Sequence, residues 1–309
     1  MILVTGALGF IGSHLVDRLI EMQIAHINEI VALDNMSYAA NKDYQKTLSN
    51  GNFSHTDLSN LEQLEQVFTK YNIKTIYHLA AETHVDNSIK NVDPFVSSNI
   101  LGTLNLLKMS EKHSVEKFIH ISTDEVYGTV PQGSATETTP YHTRNPYSAT
   151  KAASDHLVTA WHHTYGIPAI ITHCSNNYGP RQHGEKMIPT IIRNLRNNQP
   201  VPVYGDGLQI RDWLYVQDHV DALIAVATNG QVGEIYNIGA NHTHEITNIE
   251  LVRKICDMMN KPHSLINHVE DRKGHDRRYS IDSTKIRRTL NWQESHSLDQ
   301  GLAKTLIHT

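Results

Sequence analysis

Cysteine is scarce, with only Cys174 and Cys256 in 309 residues. They frame neither a metal-ligand spacing nor a redox pair, and two thiols make no disulfide scaffold. No apolar run approaches the ~20 residues that cross a bilayer. The opening residues, Met1-Ile2-Leu3-Val4-Thr5-Gly6, run straight into an apolar strand, without the basic lead and hydrophobic core of a secretory signal. These absences predict a reducing, cytoplasmic setting with no membrane contact. Nor does positive charge dominate. The 27 Lys and Arg face 32 Asp and Glu, and the net −5 offers nucleic acid no general attraction. Histidine is plentiful, at 21, yet His162-His163 and His242-Thr243-His244 lack zinc spacing, so no metal is expected.

The hydrophobic fraction of 39% and charged fraction of 19% are those of an ordinary soluble enzyme. Short β-branched runs at Ile2–Thr5, Glu29–Leu33, Thr75–Leu79, Lys117–Ser122 and Ala169–His173 read as strands. Helical patterns fall at Ile11–Glu21, Leu61–Tyr71, Val96–His113 and Ser148–Tyr165. This alternation predicts an α/β fold, a Rossmann-type doubly wound parallel sheet. Beyond residue 175 prolines interrupt the chain, with helices expected at Met187–Asn197, Val216–Ala227 and Ile249–Met259. Two strand-like runs, Trp213–Val216 and Ile235–Ile238, can return to the main sheet. Residues 1–175 are therefore expected to form a dinucleotide-binding domain to which 212–240 returns. Residues 176–211 and 241–309 are expected to form a smaller, discontinuous substrate-binding lobe.

Gly6-Ala7-Leu8-Gly9-Phe10-Ile11-Gly12 lies between the first strand and the first helix. Glycines allow a tight turn and a close approach of backbone amides to a pyrophosphate, and the helix N-terminus adds partial positive charge. The triplet alone is an ordinary turn; its place after an N-terminal strand makes it a dinucleotide site. Asp34, with Asn35 beside it, ends the second strand about 20 residues on, the usual interval to the acid that accepts from a ribose 2′-hydroxyl. A carboxylate there repels a 2′-phosphate, so NAD is favoured over NADP. Asp57-Leu58 ends the next strand-like stretch and is placed near the adenine.

Tyr147 and Lys151 are one helical turn apart and share a face. A free phenol ionises near pH 10, too high for a base at neutral pH. A neighbouring ammonium and an oxidised nicotinamide are expected to lower it. Thr123-Asp124-Glu125 follows a predicted parallel strand at its carboxyl end, where open α/β sheets bind ligands. Two adjacent acids can cap a helix. They can also share an elimination, one removing a proton and the other protonating a leaving hydroxyl, provided their protonation states differ.

Together the glycine turn, Asp34 and Tyr147-Ser148-Ala149-Thr150-Lys151 resemble the extended short-chain dehydrogenase/reductase superfamily. The triplet Thr123-Asp124-Glu125 resembles its dTDP-glucose 4,6-dehydratase family. The likeness extends through His78-Leu79-Ala80-Ala81-Glu82-Thr83-His84-Val85-Asp86, Asn99-Ile100-Leu101-Gly102-Thr103, Ser175-Asn176-Asn177-Tyr178-Gly179-Pro180, Arg211-Asp212-Trp213 and the stretch 271–279. It implies that Thr123, Asp124 (acid), Glu125 (base), Tyr147 and Lys151 are catalytic. NAD is implied to lie on Gly6, Gly9, Phe10, Ile11, Gly12, Asp34, Asn35, Asp57, Leu58, Leu79, Ala80, Ala81, Asn99, Tyr147 and Lys151. The nucleotide-diphosphate hexose is implied to meet His84, Thr123, Asn176, Lys186, Arg211, Arg272 and His275. The expected reaction turns dTDP-glucose into its 4-keto-6-deoxy product plus water. UDP-glucose 4,6-dehydration, nucleotide-sugar 4-epimerisation, and a catalytically silent NAD-binding regulator are the alternatives. Asn87, His173, Gly184 and Lys273 depart from the family's more frequent Arg, Arg, Pro and Pro. A homodimer through helices 96–113 and 148–165 is also implied.

Overall fold

The computed structural model describes residues 1–48, 51–240 and 245–308; His242-Thr243-His244 lies outside them. The strands are β1 Ile2–Thr5, β2 Ile30–Asp34, β3 Asn52–His55, β4 Thr75–His78, β5 Lys117–Thr123, β6 Ala169–Cys174, β7 Asn176–Tyr178, β8 Val201–Tyr204, β9 Ile210–Tyr215, β10 Ile235–Ile238, β11 Glu245–Thr247 and β12 Ile266–Val269. The principal helices are α1 Phe10–Glu21, α2 Leu61–Lys70, α3 Thr103–Lys112, α4 Pro146–Tyr165, α5 Met187–Arg196, α6 Val216–Asn229 and α7 Asn248–Met258.

Seven strands form one sheet in the order β10-β6-β5-β4-β1-β2-β3, every pair parallel. A parallel sheet needs both faces covered, and alternate side chains serve the two faces. Val4, Ala32 and Ile119 pack with Leu15, Val16 and Leu19 of α1 and Val220, Leu223 and Ile224 of α6. Their chain neighbours Leu3, Val31 and Phe118 pack on the other face with Leu64 of α2, Leu106 of α3 and Val158 of α4. Each fully buried Val, Leu, Ile or Phe among them contributes about 1.5–3 kcal/mol. This is the doubly wound α/β architecture that the strand–helix alternation predicts.

The two short runs after residue 175 part company. Ile235–Ile238 pairs with β6 at the sheet edge. Trp213–Val216 does not reach the main sheet. Its first three residues belong to β9, which pairs with β7 and β11 in a separate three-stranded sheet. Trp213 and Tyr215 are committed to a third core, with Ile188, Ile191 and Leu195 of α5 and Leu251, Val252 and Ile255 of α7. Strand β8 pairs with β12 in a further two-stranded sheet.

The helix expected over 96–113 is also divided. Residues 96–102 are π-helical, and α3 begins at Thr103. Asn99 lies in this widened turn, its side chain bonded both ways to the Glu82 backbone. Such widened turns often serve functional sites. No described helix is long and apolar enough to cross a membrane.

Candidate active site

The turn between β1 and α1 is as tight as glycine permits. Gly6 sits at φ +68°, and a Cβ there would lie 2.9 Å from the Ala80 backbone. At Gly12 an added Cβ would lie 2.1 Å from the Gly6 carbonyl oxygen. No side chain caps α1, so its first amides stay available to a ligand beside Gly9 and Phe10. We expect Gly12→Ala to force backbone apart from backbone. NAD retained on purification, measured by absorbance after denaturation, should fall at least about 10-fold; undiminished content would contradict this role.

Asp34 ends β2 facing the same turn. Its carboxylate accepts from the backbone N–H of Leu8 at 3.0 Å and of Met36 at 2.7 Å. Burial pushes this carboxyl up, while those two bonds pull it back down. Each oxygen thus keeps a lone pair for a further donor, such as a ribose hydroxyl.

A cleft of about 300 Å³ runs from this turn along the carboxyl ends of the strands. Gly6, Gly9, Phe10, Ile11, Gly12, Asp34, Asn35, Asp57, Leu58, Leu79, Ala80 and Ala81 line it. So do Thr123, Asp124, Glu125, Tyr147, Lys151, Asn176 and Lys186. Asn99 is buried behind the lining, where it also donates to Thr150 Oγ1. His84, Arg211, Arg272 and His275 lie outside the lining. His84 caps the short helix 85–90, its Nδ1 accepting from the Asn87 N–H.

Strand β5 delivers Thr123, after which the chain turns into a single 3-10 turn carrying both acids. The Thr123 hydroxyl accepts from the Glu125 N–H at 3.3 Å. Asp124 is buried, and its Oδ2 has no protein partner. Burial, then the charge of Glu125, pushes this carboxyl well above the usual range; Arg211 only partly opposes them. Glu125 is less enclosed, and its Oε2 accepts from Asn145 Nδ2 and lies the same 3.2 Å from the Tyr279 hydroxyl. The two neighbouring carboxyls therefore occupy different environments.

Helix α4 delivers Tyr147 and Lys151. Asn145 caps it, accepting from Ser148 N–H at 2.8 Å, and Pro146 starts it without wasting an amide. Both functional side chains are buried. Lys151 Nζ donates to the Ile121 carbonyl at 2.9 Å. The expected lowering of the Tyr147 phenol calls on an oxidised nicotinamide as well as Lys151, and the protein's own groups act the other way. Burial, then Glu125, pushes the phenol well up, and the opposing influence is the Thr123 hydroxyl. Loss of hydration is the leading cause.

The cationic candidates gather beyond the acids. Lys186 Nζ donates to the Thr83 carbonyl at 2.8 Å. Arg211 is buried, donates to the Ile210 and Asp276 carbonyls, and lies 4.0 Å over the Tyr279 ring. Arg272 pairs loosely with Asp86 at 3.8 Å, and His275 Nδ1 is 2.6 Å from Asp271. Arg272 is close enough to influence both Lys186 and Arg211 electrostatically, so these cations share one neighbourhood.

Sequence reasoning assigned no role to Tyr279, Asn145 or the buried group beneath Lys151. In that group the Asp155 carboxylate accepts from Ser122 Oγ at 2.9 Å and lies 3.1 Å from Nε2 of both His120 and His173. Asn145 before Pro146 is a legible cap signal. Tyr279 and the His–Asp group are joined by long-range folding and carry no local spacing.

This fold and cleft define an extended short-chain dehydrogenase/reductase, and comparison narrows the class. The chain belongs to the nucleotide-sugar 4,6-dehydratase family: the family model described as GDP-mannose 4,6 dehydratase matches residues 3–305. The dTDP-glucose 4,6-dehydratase of Haemophilus influenzae is 46% identical, across 99% of this chain and 96% of its own. That of Salmonella typhimurium is 42% identical, across 99% and 91%. The crystal structure of a Streptomyces venezuelae dTDP-glucose 4,6-dehydratase with NAD and TYD bound matches with TM-score 0.95 and 40% identity, covering 99% of this chain and 95% of that one. A Thermotoga maritima UDP-glucose 4-epimerase with UDP-glucose shares the fold at TM-score 0.92 and 29% identity, covering 99% and 97%.

Proposed function

We propose that this chain is an NAD-dependent dTDP-glucose 4,6-dehydratase. The observation that carries this reading is the adjacent pair Asp124 and Glu125, differently housed, in one cleft with Tyr147. Gly6, Gly12 and Asp34 fit the cofactor, because the turn would be filled by any Cβ and the carboxylate keeps free lone pairs. NAD, when bound, supplies the acceptor for the C4 hydride, the donor to C6, and positive charge beside Tyr147.

The side chains do the proton work. With the positive charge of an oxidised nicotinamide beside it to oppose the rise that burial causes, Tyr147 would take the proton of the 4-hydroxyl, and the Thr123 hydroxyl holds the oxygen that becomes the ketone. A ketone at C4 acidifies the C5 proton, which Glu125 removes. Asp124, whose protonated form burial and the charge of Glu125 favour, gives its proton to the departing 6-hydroxyl. Asn176 and Lys186 reach the substrate from the far wall, and Arg211, Arg272, His275 and His84 hold the nucleotide-diphosphate end. An epimerase has no water to expel and no use for such an acid pair.

The exposed Val96, Leu101 and Tyr165 support a homodimer through the helices at 96–112 and 146–165. The two buried, unpaired cysteines suit a reducing cytoplasm.

Substrate deuterated at C4 tests the reaction. Deuterium should reappear at C6 of the same sugar, with loss of one water in the product mass. Deuterium in solvent or in free NADH, or a product of unchanged mass, would overturn the assignment.

A further inference from the structure

We propose that Tyr38 and Glu185 form a clasp across the cleft, and that its opening sets how fast NAD enters and leaves. This rests on the dehydratase reading above, in which the cofactor is regenerated at each turnover.

The two sides of the contact belong to different parts of the fold. Tyr38 lies in the stretch that follows β2 and Asp34, and Glu185 lies just before α5 of the lobe. Ser37, Ala39 and Ala40 on one side and Gln182, His183 and Glu185 on the other line the same cleft. A contact between them therefore spans it. The Tyr38 hydroxyl donates to Glu185 Oε1 at 3.1 Å and accepts from Asn87 Nδ2 at 3.4 Å. The Tyr38 ring stands edge-on to His183, with centroids 5.5 Å apart. Burial, then the charges of Glu185 and Glu82, push the phenol up, so its hydroxyl stays a donor.

The flanks are anchored more firmly than the contact. Asn41 N–H donates to the Leu8 carbonyl at 2.8 Å, and the Tyr44 hydroxyl donates to Asp17 at 2.7 Å. Arg181 pairs with the same Asp17 at 2.8 Å and lies 4.8 Å over the Tyr44 ring. On the lobe side Lys186 Nζ holds the Thr83 carbonyl, and the Gly184 carbonyl accepts from Thr190 and Arg193. Between these anchors Tyr38 is 51% exposed, so water competes for its hydroxyl. Opening needs the loss of the bond to Glu185 and of the ring contact with His183, while the anchors stay.

Two departures from the family's more frequent residues fall here. Asn87, in place of Arg, is the donor to the phenol. Gly184, in place of Pro, is second in a turn closed by the Lys186 N–H on the His183 carbonyl at 3.1 Å. A proline ring presets the backbone at that position of a turn. Glycine leaves the turn freer to deform, and with it the hold on Glu185. A releasable clasp suits a reaction that ends with its cofactor unchanged. Departure of the reduced cofactor after C4 oxidation would strand the sugar as its 4-ketone, without the means to reduce it. Slow exchange keeps both redox steps on one cofactor.

Tyr38→Phe keeps the ring on His183 and removes the hydroxyl. Exchange of bound NAD for isotopically labelled NAD, followed by mass spectrometry of the cofactor released on denaturation, should quicken about 3- to 10-fold, the share of one exposed hydrogen bond. Initial dehydration at saturating NAD and dTDP-glucose should stay within about 2-fold. Glu185→Ala should quicken exchange to a similar extent. The double variant should add no more than about 2-fold to either, since the same bond is lost in all three. Gly184→Pro should slow exchange about 2-fold or more, because an added Cβ meets only the mobile end of Arg193, at 2.8 Å. Unchanged exchange in Tyr38→Phe, or additive effects in the double variant, overturns the clasp. A larger fall in initial dehydration by Tyr38→Phe, or exchange unchanged or quickened by Gly184→Pro, also counts against it. Failure of this inference leaves C4-to-C6 deuterium transfer intact, whereas failure of the dehydratase reading abolishes it.

Discussion

Asp124→Asn with Glu125→Gln should reduce formation of the 4-keto-6-deoxy product about 10³-fold or more, while C4 oxidation persists. The two amides match the carboxyls in size, so the 3-10 turn and its Thr123 cap should survive. The amide oxygen introduced at position 125 can still accept from Asn145. What disappears is the capacity of position 125 to take the C5 proton and of position 124 to give one to the 6-hydroxyl. Neither role falls to Tyr147, whose phenol is bound to C4 chemistry. Product mass measures dehydration, and absorbance of bound NADH measures oxidation. Normal dehydration by the double variant would refute the roles given to these acids. Loss of NADH formation as well would show that the pair is needed before the elimination.

Asp155→Ala should cost about 3–5 kcal/mol of stability, the range for removing one partner of a buried charged group. Burial opposes the Asp155 charge, yet the bonds from His120 and His173 prevail and hold the carboxyl far below the usual range. Its carboxylate also offsets burial of the Lys151 ammonium one turn earlier. Deleting it leaves Ser122, His120 and His173 facing an apolar gap with a buried cation above. The sign for pH follows from the lowered carboxyl. Its stabilisation is present above the ordinary carboxylate range and is lost as pH falls through and below it. Thermal unfolding at neutral pH should show a midpoint about 5–8 °C lower for Asp155→Ala. Asp155→Asn, which keeps an acceptor oxygen, should fall between the variant and the parent. An unchanged midpoint would mean that the group carries no buried charge.

Much of this site was written in local spacing. Gly6, Gly9 and Gly12 follow a strand; Asp34 ends the next; Tyr147 and Lys151 share a helix face; Asp124 and Glu125 are neighbours. Short-range rules suffice for each. Tyr279 was invisible as a partner of Glu125 because 154 residues separate them, and only the docking of 277–279 against Ile210 and Val130 joins them. His173, noted only as a departure from the usual Arg, proves to be a partner of Asp155. Trp213–Val216 misled for a related reason. Its apolar residues suit a main-sheet strand and the lobe core equally, and tertiary packing decided between them. The division at residue 102 escaped because the apolar rhythm of 96–113 continues unbroken through the π-helical turn.

The edge strand β10 carries a consequence for how the chain is made. Residues 235–238 complete a sheet whose preceding strand ends at residue 174. During synthesis β6 must emerge several seconds before its partner, at ordinary elongation rates. Throughout that interval its outer edge offers unpaired amides and carbonyls to any other nascent strand. The finished domain therefore closes from its carboxyl side, and truncation before residue 238 should yield a ribosome-released chain prone to aggregation rather than a free-standing dinucleotide domain.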